Sequence, residues 1–395
     1  MKRVLFLLVL AFGVLALAGC GGEPKKEEAK TEAPAAETAP AAAPQASGAP
    51  IILGAAGAHS GDLASYGLPS ANAAKLVAKM YNEKGGVLGR QVVVQTEDDQ
   101  CKPELATNVA TKLVSDKADV VLGHICSGAT KAALPIYRDA NLVLMSPSAT
   151  NPPLTQSGEY PNFFRTIASD DAQAKLGVDY AIQTLGAKKI AVLHDKGDYG
   201  KGYAEFAKSF IEQGGQAQVV LFEGVTPGAV DYSAVVNKVR QSGADAVIFG
   251  GYHPEASKIV SQMRKKQMKT PFLSDDGVKD DTFIKVAGAD AEGVYASGPR
   301  DISNNPLYKQ AIEQHKAVFG AEPGAFFPEA YSASMALLNA IEKAGSTDYE
   351  AIVKSLRSEY VETPLGNISF DEKGDAIGVG FSMYQVQNGQ YVELK

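Results

Sequence analysis

The feature that most constrains the fold is a regular alternation of short apolar runs with longer amphipathic stretches, which begins near residue 50. The first apolar runs read PIILGAAGA, GRQVVVQTEDD, ADVVLGHI and LVLMSPSAT. Between the first two, residues 66–84 place Ala71, Ala74 and Val77 on one side of a predicted helix. Near-continuous apolar strands are typical of parallel sheets that helices cover on both faces. The pattern therefore predicts an α/β fold.

The same alternation resumes after Phe163, with the apolar runs KKIAVLHD, AQVVLFEG, ADAVIFGG and TPFLSDDG. The chain has 395 residues, which is longer than one hydrophobic core usually organises. We predict two doubly wound parallel-sheet lobes joined by a hinge.

The N-terminus has the pattern of an export signal. Lys2 and Arg3 precede an apolar run over residues 4–17, and the sequence Leu17-Ala18-Gly19-Cys20 follows. This end resembles the bacterial lipobox, which implies a signal peptide over residues 1–19 and acylation of Cys20, whereas the alternative is an ordinary signal peptide. Residues 20–49 are rich in Ala, Pro, Glu and Lys, a composition that predicts a disordered tether.

The other two cysteines, Cys101 and Cys126, would lie outside the cytoplasm, where disulfides persist. One alternative is a Cys126 nucleophile served by His124 or His59. A zinc site is a further alternative, although the paired short spacings of a closed site are missing.

Composition and motifs argue against several function classes. The formal charge is −7 and no basic stripe is visible, so we expect no nucleic-acid partner. The chain contains no G-x-S-x-G, H-E-x-x-H, G-x-G-x-x-G or G-x-x-x-x-G-K-[ST] motif, and its five histidines are scattered. We expect neither an enzyme nor a cofactor or metal site.

Ligands of doubly wound sheets bind beyond the carboxyl ends of the strands. The segments there read AHSGDLASYG, HICSGAT, SPSATNP, HDKGDYG, GGYHPE and SDDGV, and they are rich in Ser, Thr, Tyr and Gly. Ser127, Ser148 and Thr150 could donate hydrogen bonds to a carboxylate. An ammonium group could meet Asp276, with the hydroxyls or ring faces of the two tyrosines, Tyr199 and Tyr252. Such a set suits a small zwitterion.

The segments DDQCKP, GHICSGAT, MSPSATNPPLT, FFRT, HDKGDYGKG and GGYHPEA resemble those of the leucine/isoleucine/valine-binding proteins. These are substrate-binding subunits of branched-chain amino acid ABC importers, and they have the type I periplasmic binding protein fold. The resemblance covers nearly the whole chain from about residue 51, with its motifs in order.

The resemblance implies a role for each matching position. A disulfide falls on Cys101 and Cys126. The carboxylate ligands fall on Ser127 and Thr150 with the backbone of Ser148, the ammonium ligands on Tyr199, Tyr252 and Asp276, and the aromatic walls on Tyr66 and Phe326. Asp276 stands where glutamate is common in the family, so its carboxylate is one methylene shorter, and the neighbouring Asp275 could compete for its role.

The resemblance also implies the context. We expect a first lobe of residues 50–169 plus 299–379 and a second of 170–298 plus 380–395. We expect a monomer, lipid-anchored at the cell envelope, that hands a branched-chain or other aliphatic amino acid to ABC permease subunits and through them to ATPase subunits. Alternatives are the same fold binding an amide, an aromatic acid or another amino acid, a sensor lobe, and a hydrolase that uses Cys126.

Overall fold

The computed structural model describes residues 48–394. The predicted signal peptide, Cys20 and all but the last two residues of the predicted tether therefore lie outside the described residues. Strands and helices alternate from the first described strand onward: β1 Ile51–Gly57, α1 Ala64–Glu83, β2 Val92–Asp98, α2 Pro103–Ser115, β3 Val120–Leu122, α3 Ser127–Asp139, β4 Val143–Ser146, α4 Pro153–Gln156, β5 Phe163–Arg165, α5 Asp170–Asp179, β6 Lys189–His194, α6 Asp198–Gly214, β7 Gln218–Gly224, α7 Ser233–Ser242, β8 Ala246–Gly250, α8 His253–Lys265, β9 Phe272–Ser274, α9 Asp281–Ala287 and β10 Tyr295–Pro299.

The alternation then gives way to consecutive helices and short antiparallel strands. A π-helical turn, Tyr180–Thr184, continues α5, and a 3-10 turn, Gly288–Ala291, follows α9. The last elements are α10 Pro306–Phe319, α11 Phe327–Ala344, α12 Tyr349–Ser358, β11 Val361–Thr363, β12 Gly366–Ile368, β13 Phe381–Gln387 and β14 Gln390–Glu393. Among these described helices, none is both long and apolar enough to cross a bilayer.

The strands form two main sheets. The first has the order β2-β1-β3-β4-β5 and is parallel throughout. The second has the order β14-β13-β10-β9-β8-β6-β7; β6 to β10 are parallel, while β13 and β14 add an antiparallel edge. This architecture confirms the predicted α/β fold with two parallel-sheet lobes.

Each sheet is covered by helices on both faces, as its continuous apolar strands require. In the first lobe, Val77 of α1 and Leu337 of α11 belong to the core on one face, and Leu113 of α2 and Leu134 of α3 to that on the other. In the second lobe, α7, α8 and α9 cover one face and α5 and α6 the other.

The chain passes between the two sheets three times. The passages lie between β5 and α5, between β10 and α10, and between β12 and β13. The lobe boundaries given above, 50–169 plus 299–379 and 170–298 plus 380–395, stay a prediction.

Cys101 and Cys126 form a disulfide with their Cα atoms 5.4 Å apart. It joins the loop after β2 to the start of α3. Three buried side chains near the disulfide are linked by hydrogen bonds. Asp99 Oδ2 is 2.5 Å from His124 Nδ1, and His124 Nε2 is 3.0 Å from the Tyr137 hydroxyl. Cys126 is thus no free thiol, and His124 is hydrogen-bonded to Asp99 and Tyr137, so the structure does not support the alternative of a Cys126 nucleophile served by His124 or His59.

Arg165, at the end of β5, is fully buried. Its Nε lies 2.5 Å from Asp375 Oδ1, and its Nη1 donates to the carbonyl oxygens of Ala149 and Asn151 at 3.2 and 3.1 Å. Nη2 donates to Thr155 Oγ1 at 2.8 Å. This guanidinium therefore fixes the loop after β4 on both sides of Thr150.

Breaking the Cys101–Cys126 disulfide should lower the free energy of unfolding by about 3 kcal/mol, because the bridge restricts the unfolded chain. The measurement is the melting temperature with and without reductant, and of the double variant Cys101→Ser/Cys126→Ser. Peptide mapping by mass spectrometry confirms the bond before reduction. Equal melting temperatures after confirmed reduction would contradict a stabilising role.

Arg165→Met should lower the free energy of unfolding by about 3 kcal/mol, because it leaves the Asp375 carboxylate and two buried carbonyls without their donor. The matched control is Arg138→Met, whose ion pair with Asp139 lies on the surface with side chains 40% and 70% exposed. That change should cost about 1 kcal/mol or less. Chemical denaturation measures both, and equal losses would show that burial of the Arg165 pair is irrelevant.

Candidate ligand site between the two sheets

The strand order of each sheet reverses at one point, between β1 and β3 in the first and between β6 and β8 in the second. Crevices at the carboxyl ends of strands form at such points. The segments after β1, β3 and β4 meet those after β6, β8 and β9. All eight residues predicted to bind ligand lie in these segments or, for Phe326, just before α11.

The first lobe presents small hydroxyl side chains. α3 begins at Ser127, so Ser127 stands in the first helical turn with its free N–H groups. Its Oγ accepts from Asn151 N at 3.3 Å. Ser148 Oγ donates to Ile125 O at 2.8 Å, and Ser148 N donates to Ser146 Oγ at 3.3 Å. Within residues 48–394 the buried Thr150 Oγ1 has no hydrogen-bond partner.

Two glycines bring the tyrosines of the second lobe together. An added Cβ at Gly200 would lie 2.3 Å from Gly250 O, and one at Gly250 would lie 2.1 Å from Gly200 O. The start of α6 can therefore approach the end of β8 this closely only because both positions are glycine. As a result Tyr199 and Tyr252 pack with ring centroids 5.0 Å apart.

Asp276 follows β9 and is buried. The Tyr199 hydroxyl donates to its Oδ1 at 2.5 Å, while Oδ2 has no partner among the described residues. Burial raises the pKa of Asp276 to about 6, and the hydrogen bond from Tyr199 opposes the rise. Asp275 differs, because its Oδ2 accepts from Gly251 N at 2.9 Å. Of the two predicted candidates, Asp276 is the one with an oxygen left for another donor.

Aromatic rings close one side of the group of predicted site residues. The rings of Tyr66 and Phe326 lie 5.8 Å apart, and Tyr252 lies 6.0 Å from Tyr66. Phe326 has a φ of 60°, a left-handed conformation at the N-cap of α11 that turns the chain toward the site. Ile125 and Ile167 belong to the same buried cluster. The wall is therefore apolar and partly aliphatic.

Contacts join the two lobes on either side of the group. The Tyr66 hydroxyl donates to Gly277 O at 2.7 Å. Asn151 Nδ2 donates to Asp198 O at 2.6 Å, and Lys131 Nζ lies 2.8 Å from Asp198 Oδ1. A cavity of about 360 Å³ reaches Asp276 and Phe326, and another of about 700 Å³ reaches Tyr199 and Tyr252. Four of the eight predicted site residues thus line one of these two cavities.

Sequence reasoning missed Asp170 and Gln173, which start α5. Both are fully buried, and neither Asp170 carboxylate oxygen nor either polar atom of the Gln173 amide has a partner among residues 48–394. Asp170 N donates to Thr150 O at 3.0 Å. Burial raises the pKa of Asp170 well above its usual value, and the charge of Asp276 adds to the rise. In the sequence, an acidic residue at the start of a helix is explained by helix capping. Nothing in the sequence therefore indicates that Asp170 is buried.

The arrangement offers hydroxyl and amide donors at one end and unpaired carboxylate oxygens at the other. That is complementary to a small molecule with an anionic and a cationic end. The ligand roles of Tyr66, Ser127, Ser148, Thr150, Tyr199, Tyr252, Asp276 and Phe326 stay predictions.

Several amino-acid-binding proteins are similar to this chain in sequence. A protein of Pseudomonas aeruginosa described as "Leucine-, isoleucine-, valine-, threonine-, and alanine-binding protein" is 37% identical over 335 residues, which cover 85% of this chain and 89% of the relative. The "Leu/Ile/Val-binding protein" of Escherichia coli is 34% identical over 346 residues, covering 87% and 93%.

Solved structures are similar over the same range. The leucine-binding protein LivK of Thermotoga maritima has a TM-score of 0.81 and 27% identity, and the similarity covers 87% of this chain and 98% of that chain. The substrate-binding protein LivJ of Streptococcus pneumoniae, solved with isoleucine, has a TM-score of 0.78 and 28% identity, covering 87% and 100%. A family model described as "Periplasmic binding protein" matches residues 50–390. The chain therefore belongs to the periplasmic binding protein family.

Proposed function

We propose that this chain is the extracytoplasmic substrate-binding component of an ABC importer and holds a small aliphatic amino acid in the cleft between its lobes. The observation that carries this proposal is the pair of buried carboxylates, Asp170 and Asp276, with three oxygens that lack a partner in the described part of the chain. Neither forms an ion pair with a described lysine or arginine. A ligand ammonium would supply the missing charge and donors.

The raised pKa values of Asp170 and Asp276 indicate buried carboxylates that a ligand ammonium would stabilise in their charged form. Burial of an unpaired carboxylate disfavours its charged form, and a nearby cation reverses the effect. Asp170 from α5 and Asp276 after β9 would each accept from the ammonium, while Tyr199 fixes Asp276 through its hydroxyl. An ammonium has three donors, which the oxygens of these two carboxylates can accept.

The carboxylate end uses the first lobe. The free N–H groups at the start of α3 favour an anion. Ser127 and Thr150 add hydroxyl donors, and Arg165 holds the Thr150 loop through its neighbouring carbonyls. Each hydrogen bond to a charged group contributes about 1.5–3 kcal/mol.

The side chain of the ligand would lie against Tyr66, Ile125 and Phe326, an apolar wall. The names of the relatives support an aliphatic amino acid, since they include leucine, isoleucine and valine. The relatives are binding proteins by name, which supports a binding role rather than catalysis.

The wider context is part of the same proposal. The ligand would pass to permease subunits and their ATPases. Cys20 after the export signal would carry the lipid anchor, and the Cys101–Cys126 disulfide is compatible with an oxidising location. The lobes would be residues 50–169 plus 299–379 and 170–298 plus 380–395, in a monomer.

Asp276→Asn and Asp170→Asn should each weaken leucine binding by at least about 2 kcal/mol, or roughly thirtyfold, because each removes a counter-charge from a buried ammonium. Isothermal titration calorimetry of the purified protein measures this. The matched control is Asp171→Asn, which removes the same charge from the neighbouring, partly exposed position of α5. It should change the dissociation constant by less than about twofold.

The outcomes distinguish a wrong function from a wrong assignment of the ammonium ligands. If no aliphatic amino acid binds the unchanged protein, the proposed function is wrong. If leucine binds and all three variants bind it equally well, the ammonium is held elsewhere and the assignment of Asp170 and Asp276 fails.

Leucine affinity should rise about tenfold between pH 5 and pH 7.5, because Asp276, with its pKa raised to about 6, must lose its proton to attract the ammonium. Binding at pH 6 should release protons, which titrations in buffers of different ionisation enthalpy detect. In the ligand-free protein, stability depends on pH in the opposite direction to affinity. As the pH rises through about 6, Asp276 becomes charged while buried, and its contribution to the free energy of unfolding falls. Equal affinities at pH 5 and pH 7.5 would contradict the linkage.

A further inference from the structure

The cavity of about 360 Å³ adjoins the proposed amino acid site. Its walls include Asp276 and Phe326, the proposed ammonium ligand and part of the aromatic wall. A side chain that starts at the site and passes Phe326 would therefore enter this cavity. The cavity is also lined by further charged residues. Among these, Glu329 is buried, Lys279 and Glu393 are half-buried, and Arg300 and Asp301 are exposed.

Lys279 is held in place without a charged partner. Its stem lies over Gly298, where an added Cβ would stand 2.1 Å from Lys279 Cδ. Its Nζ lies 4.3 Å from the centroid of the Tyr384 ring. Between residues 48 and 394 the Nζ atom makes no hydrogen bond or ion pair. Burial lowers the pKa of Lys279, and Glu329 is the carboxylate that most opposes this.

Glu329 belongs to the first turn of α11 and is only 4% exposed. Its carboxylate accepts no hydrogen bond from another residue in the described part of the chain. Burial raises the pKa of Glu329 to about 7, and Lys279 is the charge that counteracts the rise. Lys279, a donor, and Glu329, an acceptor of opposite charge, thus line one cavity. They belong to different predicted lobes and form no ion pair with each other.

We propose that Lys279 and Glu329 form a second subsite, which binds the polar tip of a longer amino acid side chain, and that a carboxamide, as in glutamine, is the group it fits best. This inference rests on the proposed function, because the α-amino and α-carboxylate groups of the ligand stay at the site described above. It adds a class of substrate, neutral amino acids with a donor and an acceptor at the tip.

The pair of charges selects against other tips. A carboxamide oxygen accepts from the Lys279 ammonium while its NH2 group donates to Glu329. A side-chain carboxylate would suit Lys279 but lie close to Glu329, and an ammonium or guanidinium would have the reverse conflict. An aliphatic side chain such as that of leucine leaves both charges to water.

The test compares glutamine and leucine by isothermal titration calorimetry on the same protein. The unchanged protein should bind both. Lys279→Met keeps the length of the side chain and removes its charge, so the ratio of glutamine affinity to leucine affinity should fall at least about tenfold. The matched control, Lys285→Met on the exposed face of α9, should leave this ratio unchanged.

Glu329→Gln provides a second variant if Lys279→Met does not fold, and it should lower the same ratio. Glutamate and lysine complete the panel and should bind more weakly than glutamine. The inference is overturned if glutamine does not bind while leucine does, if the ratio is unchanged in the folded variants, or if glutamate or lysine binds more tightly than glutamine. A protein that binds neither leucine nor glutamine refutes the proposed function itself.

Discussion

Buried negative charge without a counter-charge is the constraint that organises the middle of this molecule. Asp170 and Asp276 are almost fully buried, and burial raises the pKa of both. Charges of this kind are unfavourable in a ligand-free protein. Under the proposed function, the ammonium group of a ligand would offset these charges, and the free energy that the fold forgoes at this point would become available for binding. The apolar lobes on either side provide the stability that tolerates it.

The fold makes this concentration of charge possible. Parallel strands send all their carboxyl ends to one edge, so loops that are far apart in sequence meet there. Glycines 200 and 250 allow the loops after β6 and β8 to touch, and Arg165 fixes the loop around Thr150 from behind. The contacts of Asn151 and Lys131 with Asp198 then join the lobes at the side of the cleft. Phe326 borders the cavity of about 360 Å³ that Lys279 and Glu329 also line.

Much of this was visible in the sequence, and the parts that were not have physical reasons. The apolar runs predicted both sheets because strands buried on two faces have few alternatives. The antiparallel edge of β13 and β14 was harder to predict, since Phe381–Gln387 mixes polar and apolar residues. Asp276 was identified because it directly follows a strand. Asp170 was missed because a helix start explains an acidic residue equally well, and only packing shows that it is buried.

The central claim is that the cleft holds both charged ends of one small molecule. Calorimetric comparison of leucine with two analogues tests it most directly: 4-methylpentanoate lacks the ammonium, and 3-methylbutylamine lacks the carboxylate. The account predicts that leucine binds and that each analogue binds at least roughly a hundredfold more weakly, because each loses several charge-assisted hydrogen bonds. Binding of either analogue with an affinity close to that of leucine would contradict it.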